Sequence, residues 1–344
     1  MYDEWETSGH ALSMSSALYK ASVADAKDAS CDRCHAPLAT VAPSDVVAEE
    51  GVTCDVCHTL REPTPTKDGG SFRLAVDDMV KFGPRCDLKD HYFHRMGCSK
   101  EHAEAPICGS CHWWEPKGIP VFTEYADWKA GPAAAEGMQC QNCHMPDEKA
   151  ALATGSPQRA GVPHHGLLGI ASDLRTRALG LELKATRGQG GIHLEVIVRN
   201  NNAGHAVPAG LPERRIAVTI TTRDGSGAAI ATETTSLGRK LVDGAGGEAP
   251  FWRAARVEAD TRIAVGGHWT NTTTIASPAA KSVDVDVVYR GLSDGIAKQL
   301  GVTDVEQHPM VRATLELRSL PATAVVKPPP PGKRGAPPKK QAPK

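Results

Sequence analysis

Four copies of one pentapeptide hold eight of the chain's ten cysteines. In each copy two residues separate the cysteines and a histidine follows directly. The copies are CDRCH (Cys31, Cys34, His35), CDVCH (Cys54, Cys57, His58), CGSCH (Cys108, Cys111, His112) and CQNCH (Cys140, Cys143, His144). Two thiols at this spacing can form thioethers to the vinyl groups of one porphyrin, and the histidine can then bind the iron. The pattern predicts four covalently attached haem c groups.

Two other kinds of site also use paired cysteines. A zinc ribbon combines C-x-x-C units, but it does not require a histidine directly after each of them. A thioredoxin-like redox pair occurs once, near a βαβ pattern. Neither explains a histidine after all four pairs, so haem attachment is the favoured interpretation.

The four irons also need a second axial ligand if they are to carry electrons, because an occupied sixth position keeps iron from binding substrates. Histidines outside the pentapeptides are the candidates. His91 and His94 are alternatives to His102, which lies six residues before Cys108, as the ligand of one iron. The favoured candidates are His10, His102, His164 or its neighbour His165, and His205 in the turn NNAGHAVPAG.

Cys86 and Cys98 lie outside every pentapeptide. An even pair of cysteines in an oxidising compartment favours a disulfide, which here would close a loop that contains His91 and His94. The alternative is two free thiols.

The chain is predicted to be a multidomain α+β protein. Residues 1–167 hold all four pentapeptides, and their poor hydrophobic periodicity favours a mostly helical and irregular domain with porphyrin in its core. Residues 168–321 contain runs with alternating or β-branched residues, separated by turn signals, which predicts an antiparallel β-sandwich. Residues 322–344 are rich in Pro and Lys, so a disordered tail is predicted there.

Composition and charge exclude several classes of function. The formal net charge of the 344 residues is −1, which gives no electrostatic case for binding nucleic acid or an anionic membrane surface. No apolar run of about 18 residues is present, so no transmembrane helix is expected. The first residues lack the features of a signal peptide. Because haem c is attached outside the cytoplasm, we interpret the sequence as a mature or truncated form of a periplasmic or extracellular protein.

The residues between Cys108 and Pro146, together with WETSGHA and GVTCDVCH, resemble the multihaem cytochrome c554-like family. The segment NNAGHAVPAGLPERR resembles the start of a β-sandwich appended to many such cytochromes. The resemblance implies closely packed haem pairs, two histidine ligands at most irons and a periplasmic or surface electron carrier. By position it implies that the distal ligands are His10, His102, His164 or His165, and His205. The insert with Cys86 and Cys98 departs from the family, and some relatives keep one iron five-coordinate.

Three hypotheses for function follow. The favoured one is an electron carrier, not an enzyme, whose partners are redox proteins such as other cytochromes or a quinol-linked oxidoreductase. The second is a haem enzyme, for example a reductase with one open iron. The third is a subunit of a polymeric cytochrome filament, in which the chain would assemble with copies of itself.

Overall fold

The computed structural model describes residues 1–168 and 172–328. Within these residues the chain divides into two compact units. The first contains residues 1–168 with the short segment Leu300–Val302, and the second contains residues 172–299 and 303–328. The predicted α+β class is confirmed. No helix within the described ranges is long and apolar enough to cross a membrane.

The first unit is built from short helices and short strands. Its helices are α1 (Tyr2–Trp5), α2 (Ala17–Ala26), α3 (Asp32–His35), α4 (Asp45–Glu49), α5 (Cys54–Thr59), α6 (Pro106–Gly109), α7 (Glu124–Ala130), α8 (Pro132–Ala135) and α9 (Cys140–His144). Its strands are β1 (Leu60–Thr64), β2 (Ser71–Leu74), β3 (Val80–Gly83), β4 (Arg95–Cys98), β5 (Asp147–Ala151) and β6 (Gln158–Pro163). They form three two-stranded sheets, of which β3–β4 is parallel.

Local sequence explains where α2 begins. Ser16 has an extended backbone, and its hydroxyl accepts a hydrogen bond from the amide of Tyr19, so it caps a helix that starts at Ala17. Residues 10–16 form turns, although the sequence from His10 to Ala26 favours one continuous helix. The turns allow the carbonyl of His10 to accept a hydrogen bond from the amide of Val52, at 3.0 Å.

The second unit begins with α10 (Ser172–Ala178) and contains two antiparallel sheets. Its strands are β7 (Leu179–Gly188), β8 (Gly191–Asn200), β9 (Arg215–Arg223), β10 (Ala229–Val242), β11 (Arg256–Asp260), β12 (His268–Ile275), β13 (Ser282–Arg290), β14 (Gln307–Glu316) and β15 (Ala322–Val326), with α11 (Asp294–Leu300) between β13 and β14. The strand orders are β11–β10–β9–β13–β14 and β12–β8–β7–β15. Alternate residues of both sheets, such as Val196 and Val285, are fully buried in one apolar cluster.

The structure corrects the predicted first residue of the disordered tail. Residues 322–326 form β15, which pairs with β7 so that Ala324 lies opposite Leu183. The sequence ATAVV alternates, and Ala322, Ala324 and Val326 pack against the apolar cluster. The alternating side chains therefore give these residues one half-buried face. The rest of the predicted tail, from residue 329, lies outside the described residues.

Candidate haem sites

Each pentapeptide lies on a short helix or directly beside one. In α5 the hydroxyl of Thr53 accepts a hydrogen bond from the amide of Val56, which starts the helix at Cys54. At the start of α9 the backbone amide of Gln139 donates a hydrogen bond to the side-chain oxygen of Asn142 at 2.7 Å. Positions three and four apart on a helix are neighbours on one face. In α5 and α9, each of which contains a whole pentapeptide, both thiols and the imidazole therefore lie toward one side of the helix.

Two pentapeptide histidines are oriented by backbone carbonyls. The Nδ1 of His58 donates to the carbonyl of Phe82 at 2.6 Å, and the Nδ1 of His35 donates to the carbonyl of Ser13 at 3.1 Å. A carbonyl can only accept, so Nδ1 carries the proton in both rings and Nε2 is left with a lone pair for a metal. Burial lowers the pKa of His35, which favours the neutral form that binds iron.

Among the predicted distal ligands, His10 lies close to three pentapeptide histidines. Burial, together with the nearby His112, His144 and His35, lowers its pKa to about 3. Its Nδ1 is buried and has no hydrogen-bond partner, and its ring lies 6.1 Å from that of His112 in an edge-on orientation. With metal–nitrogen bonds of about 2 Å, two imidazoles on opposite faces of one haem have ring centres roughly 6 Å apart. The pair His10 and His112 therefore fits one iron.

His58 has two candidate partners. The ring of His102 lies 6.0 Å away and is tilted by 15°, whereas that of His165 lies 6.3 Å away and is tilted by 24°. Each of the two partners has a buried Nδ1 without a hydrogen-bond partner. The Nε2 of His102 donates to the carbonyl of Cys57 at 2.8 Å. One iron can take only one of them opposite His58, and the distances between ring centres do not distinguish the two.

The structure places His164 and His165 in different surroundings. The ligand atoms of His164, Glu4 and Glu148 lie within 4.8 Å of one another, whereas the ring of His165 stacks on that of His58. The Nδ1 of His164 accepts a hydrogen bond from the amide of Gly166 at 3.0 Å. Of the two neighbours, His165 is therefore the one beside a pentapeptide histidine.

The remaining predicted ligands are not brought together in this way. His91 and His94 bridge each other through their backbones, with ring centres 5.7 Å apart. Of His91, His94 and His102, it is His102 whose ring is described in contact with that of His58. His205 lies in the second unit, in the connection from β8 to β9, where its Nδ1 bonds the carbonyl of Ala206 at 3.1 Å.

The thiols show which pentapeptides are neighbours. The thiol of Cys111 lies close enough to that of Cys34, and the thiol of Cys108 to that of Cys140, for the two thiols of each pair to interact electrostatically. Burial raises the pKa of the Cys57 thiol to about 11, so it stays protonated at neutral pH. The third pentapeptide thus lies between the first and the fourth.

The predicted disulfide between Cys86 and Cys98 is present, with a Cα–Cα distance of 4.8 Å. All ten cysteines lie within the described residues, and the eight in the pentapeptides form no disulfide. Four unoxidised C-x-x-C pairs, carbonyl-oriented histidines and buried ring nitrogens without partners together fit the donor set of haem c. The orienting carbonyls of Ser13 and Phe82 were not predicted, because a backbone contact over more than twenty residues leaves no mark in the sequence.

Comparison with known proteins gives two kinds of match. Residues 1–59 match the family model described as cytochrome c554 and c-prime. The fold is similar to that of a penta-haem cytochrome c552 from Thermochromatium tepidum, with a TM-score of 0.76 and 19% identity, over 92% of this chain and 95% of that chain. The predicted resemblance to the cytochrome c554 family is thus supported over residues 1–59, and the fold resembles that of a multihaem c-type cytochrome.

Two other comparisons found little or no similarity. MtrC from Shewanella baltica OS185 matches with a TM-score of 0.20 and 15% identity, over 83% of this chain and 44% of that chain. No curated protein matches the sequence. The N-terminal match contains the first two pentapeptides and His10, and the fold match extends over both units.

Proposed function

We propose that this multihaem c-type cytochrome is an electron carrier with four haem c groups, one at each pentapeptide. The observation that carries the proposal is the repeated grouping of two thiols and an imidazole beside histidines whose buried Nδ1 atom lacks a hydrogen-bond partner. When bound, haem c supplies one-electron exchange at its iron. The residues of the chain fix the spacing of the groups, exclude water and set the electron affinity through their ligands.

Most irons in this proposal have two histidine ligands. The geometry supports His10 opposite His112, and either His102 or His165 opposite His58. His205 is proposed, from the sequence resemblance, as a further distal ligand. Two neutral imidazoles leave no open position for a substrate, which is why a carrier is favoured over an enzyme.

Electron exchange within the first unit depends on short distances between neighbouring groups. The electrostatic interactions between thiols of the first, third and fourth pentapeptides support close contact among three attachment sites. We propose that the third site connects its neighbours. The thiols of Cys54 and Cys143 are exposed, which supports the second and fourth sites as places of exchange with partners.

The proposed location is the periplasm or the cell exterior, where cysteine pairs such as Cys86–Cys98 stay oxidised. The proposed partners are other cytochromes or a quinol-linked oxidoreductase. The antiparallel β unit is proposed to be a β-sandwich, since its two sheets share one apolar cluster.

The test is the intact mass of the purified protein combined with electron paramagnetic resonance of its ferric form. We expect the added mass of four haem groups and a predominantly low-spin spectrum. His205→Ala should convert one iron to high spin while all four groups stay attached. A mass with fewer haems would contradict the stoichiometry, and a large high-spin fraction in the unaltered protein would favour a haem enzyme.

A further inference from the structure

The strand β3 links the surface disulfide to a pentapeptide histidine. Its residue Phe82 accepts the hydrogen bond that orients His58, and β3 pairs in parallel with β4, with Gly83 opposite Cys98. The disulfide joins Cys98, the last residue of β4, to Cys86, which follows β3. The carbonyl that holds His58 is therefore four residues from one end of the disulfide.

The other end of the disulfide is equally close to a candidate ligand of the same iron. His102 follows Cys98 by four residues, and its ring stacks on that of His58 at 6.0 Å. Between them the hydroxyl of Ser99 bonds Glu101, and the carboxylate of Glu101 pairs with Arg61 at 3.3 Å. The carbonyl that orients His58 and the candidate ligand His102 are thus each four residues from one end of the same disulfide.

Side-chain contacts as well as the disulfide hold β3. The Lys81 ammonium pairs with Asp55 of α5 at 2.6 Å, and the guanidinium of Arg61 lies 4.3 Å above the Phe82 ring. A two-stranded sheet of this length is marginal by itself, and a disulfide stabilises such a loop chiefly by restricting its unfolded forms. Loss of the link is therefore expected to loosen β3 against α5.

We propose that the thiol–disulfide state of Cys86 and Cys98 regulates the iron bound by His58, an inference that rests on the proposed function. Both cysteines are solvent-exposed, so an external dithiol can reach them. One thiolate of the dithiol attacks a sulfur and breaks the Cys86–Cys98 bond, and its second thiol then completes its own disulfide. Two electrons and two protons pass to the cysteines, which become two thiols.

The consequence for the iron follows from the hydrogen bond to Phe82. A carbonyl that accepts from Nδ1 makes the imidazole a stronger ligand, which stabilises ferric iron. Reduction of the disulfide weakens this hydrogen bond, and the midpoint potential of one haem rises while the other three are unchanged. Displacement of His102 adds a change in the spin state of that same iron if His102 is its ligand.

The experiment compares the unaltered protein with Cys86→Ser/Cys98→Ser by spectroelectrochemistry and electron paramagnetic resonance. We expect four haems in both proteins and an upward shift of one midpoint potential in the variant. Tyr92→Ser is the matched control, because Tyr92 is 92% exposed in the same loop and should leave all four potentials unchanged. Unchanged potentials and spectra in the cysteine variant would overturn the inference, even if its melting temperature fell.

A second measurement does not depend on folding of the variant. The mature protein is treated with a dithiol, alkylated with iodoacetamide and returned to buffer, and mass spectrometry should show two added groups and four haems. The same single potential should then be shifted, whereas four unshifted potentials would contradict the regulation. Absence of haem from the unaltered protein would instead refute the proposed function.

Discussion

Gly97 allows close contact between β4 and the strand that orients His58. A Cβ atom at this position would lie 2.5 Å from the Phe82 ring, whereas one at Gly83 would meet nothing within 4 Å. We expect Gly97→Ala to displace Phe82, lengthen its hydrogen bond to His58 and shift the potential of one haem. Gly83→Ala in the paired strand is the control, and redox potentiometry of both variants is the measurement. Equal potentials in the two variants would contradict this account.

The unpartnered Nδ1 of buried His10 leads to a second expectation at the scale of one residue. His10→Ala should leave four haems attached, because attachment needs only the pentapeptides, but it should remove one distal ligand. Electron paramagnetic resonance should then show a high-spin signal from one iron in four. His193→Ala is a suitable control, since the His193 ring bonds Thr274 on the β unit. A spectrum that stays fully low-spin would exclude His10 as a ligand.

A third expectation concerns Glu213, which is buried in the second unit. One carboxylate oxygen accepts from the amide of Phe251 at 2.8 Å, while the other is buried without a partner, and burial raises the pKa of the group. A carboxyl with a raised pKa in the folded state contributes its full stability below the unfolded value of about 4.3. That contribution is lost as pH rises through the folded pKa.

Glu213→Gln should therefore raise the free energy of unfolding at pH 7, by about 1.4 kcal/mol for each unit of the shift, and change it little at pH 4. Urea unfolding followed by tryptophan fluorescence is the measurement. Glu233→Gln, at an exposed position of β10, should have no comparable effect at either pH. The same gain for both variants would show that burial of Glu213 is not the cause.

At the scale of elements, β15 is the strand whose two faces are easiest to compare. Ala324 packs against the apolar cluster, whereas the neighbouring Val325 is 52% exposed. Ala324→Asp should destabilise the second unit by roughly 1–3 kcal/mol, because it places a carboxylate against apolar side chains. Val325→Asp should change the stability by less than about 0.5 kcal/mol. Denaturant unfolding checks both, and equal losses would argue against the observed register with β7.

Strands were predicted best where hydrophobic residues alternate along the sequence. The alternating and β-branched runs of residues 168–321 predicted strands that the structure contains, such as β8 and β13. The first unit gave no such pattern, and the strands β3 and β4 were missed. Their pairing depends on the Phe82 ring above Gly97 and on the covalent link to Cys86, neither of which produces a repeat along the chain.

The chemistry of the site was predictable to a similar degree. The fixed spacing of cysteines and histidine identified the pentapeptides. The disulfide was identified because two cysteines, an even number, remain outside the pentapeptides. The separation of His164 from His165 could not be predicted. It depends on Glu4, which is far from both residues along the chain, yet lies near His164 and accepts a hydrogen bond from the backbone amide of His165 at 2.7 Å.

At the scale of the whole molecule, the apolar core is distributed unequally. The buried apolar cluster belongs to the β unit, whereas the first unit contains scattered buried residues such as Val56, Val121 and Val162. We expect residues 172–328, produced alone, to fold without haem and to show a cooperative thermal transition by circular dichroism. Residues 1–168 produced without haem attachment should lack such a transition. A cooperative transition of that haem-free fragment would show that its core needs no cofactor.

The position of the cysteines along the chain has a consequence for biogenesis. All ten precede residue 144, and the β unit has none. If the protein is exported from its N-terminus, the last pentapeptide thiol leaves the cytoplasm while the whole β unit is still to follow. Cofactor loading can then be complete before the strands of the second unit assemble, so the slow folding of a β-rich segment need not delay it.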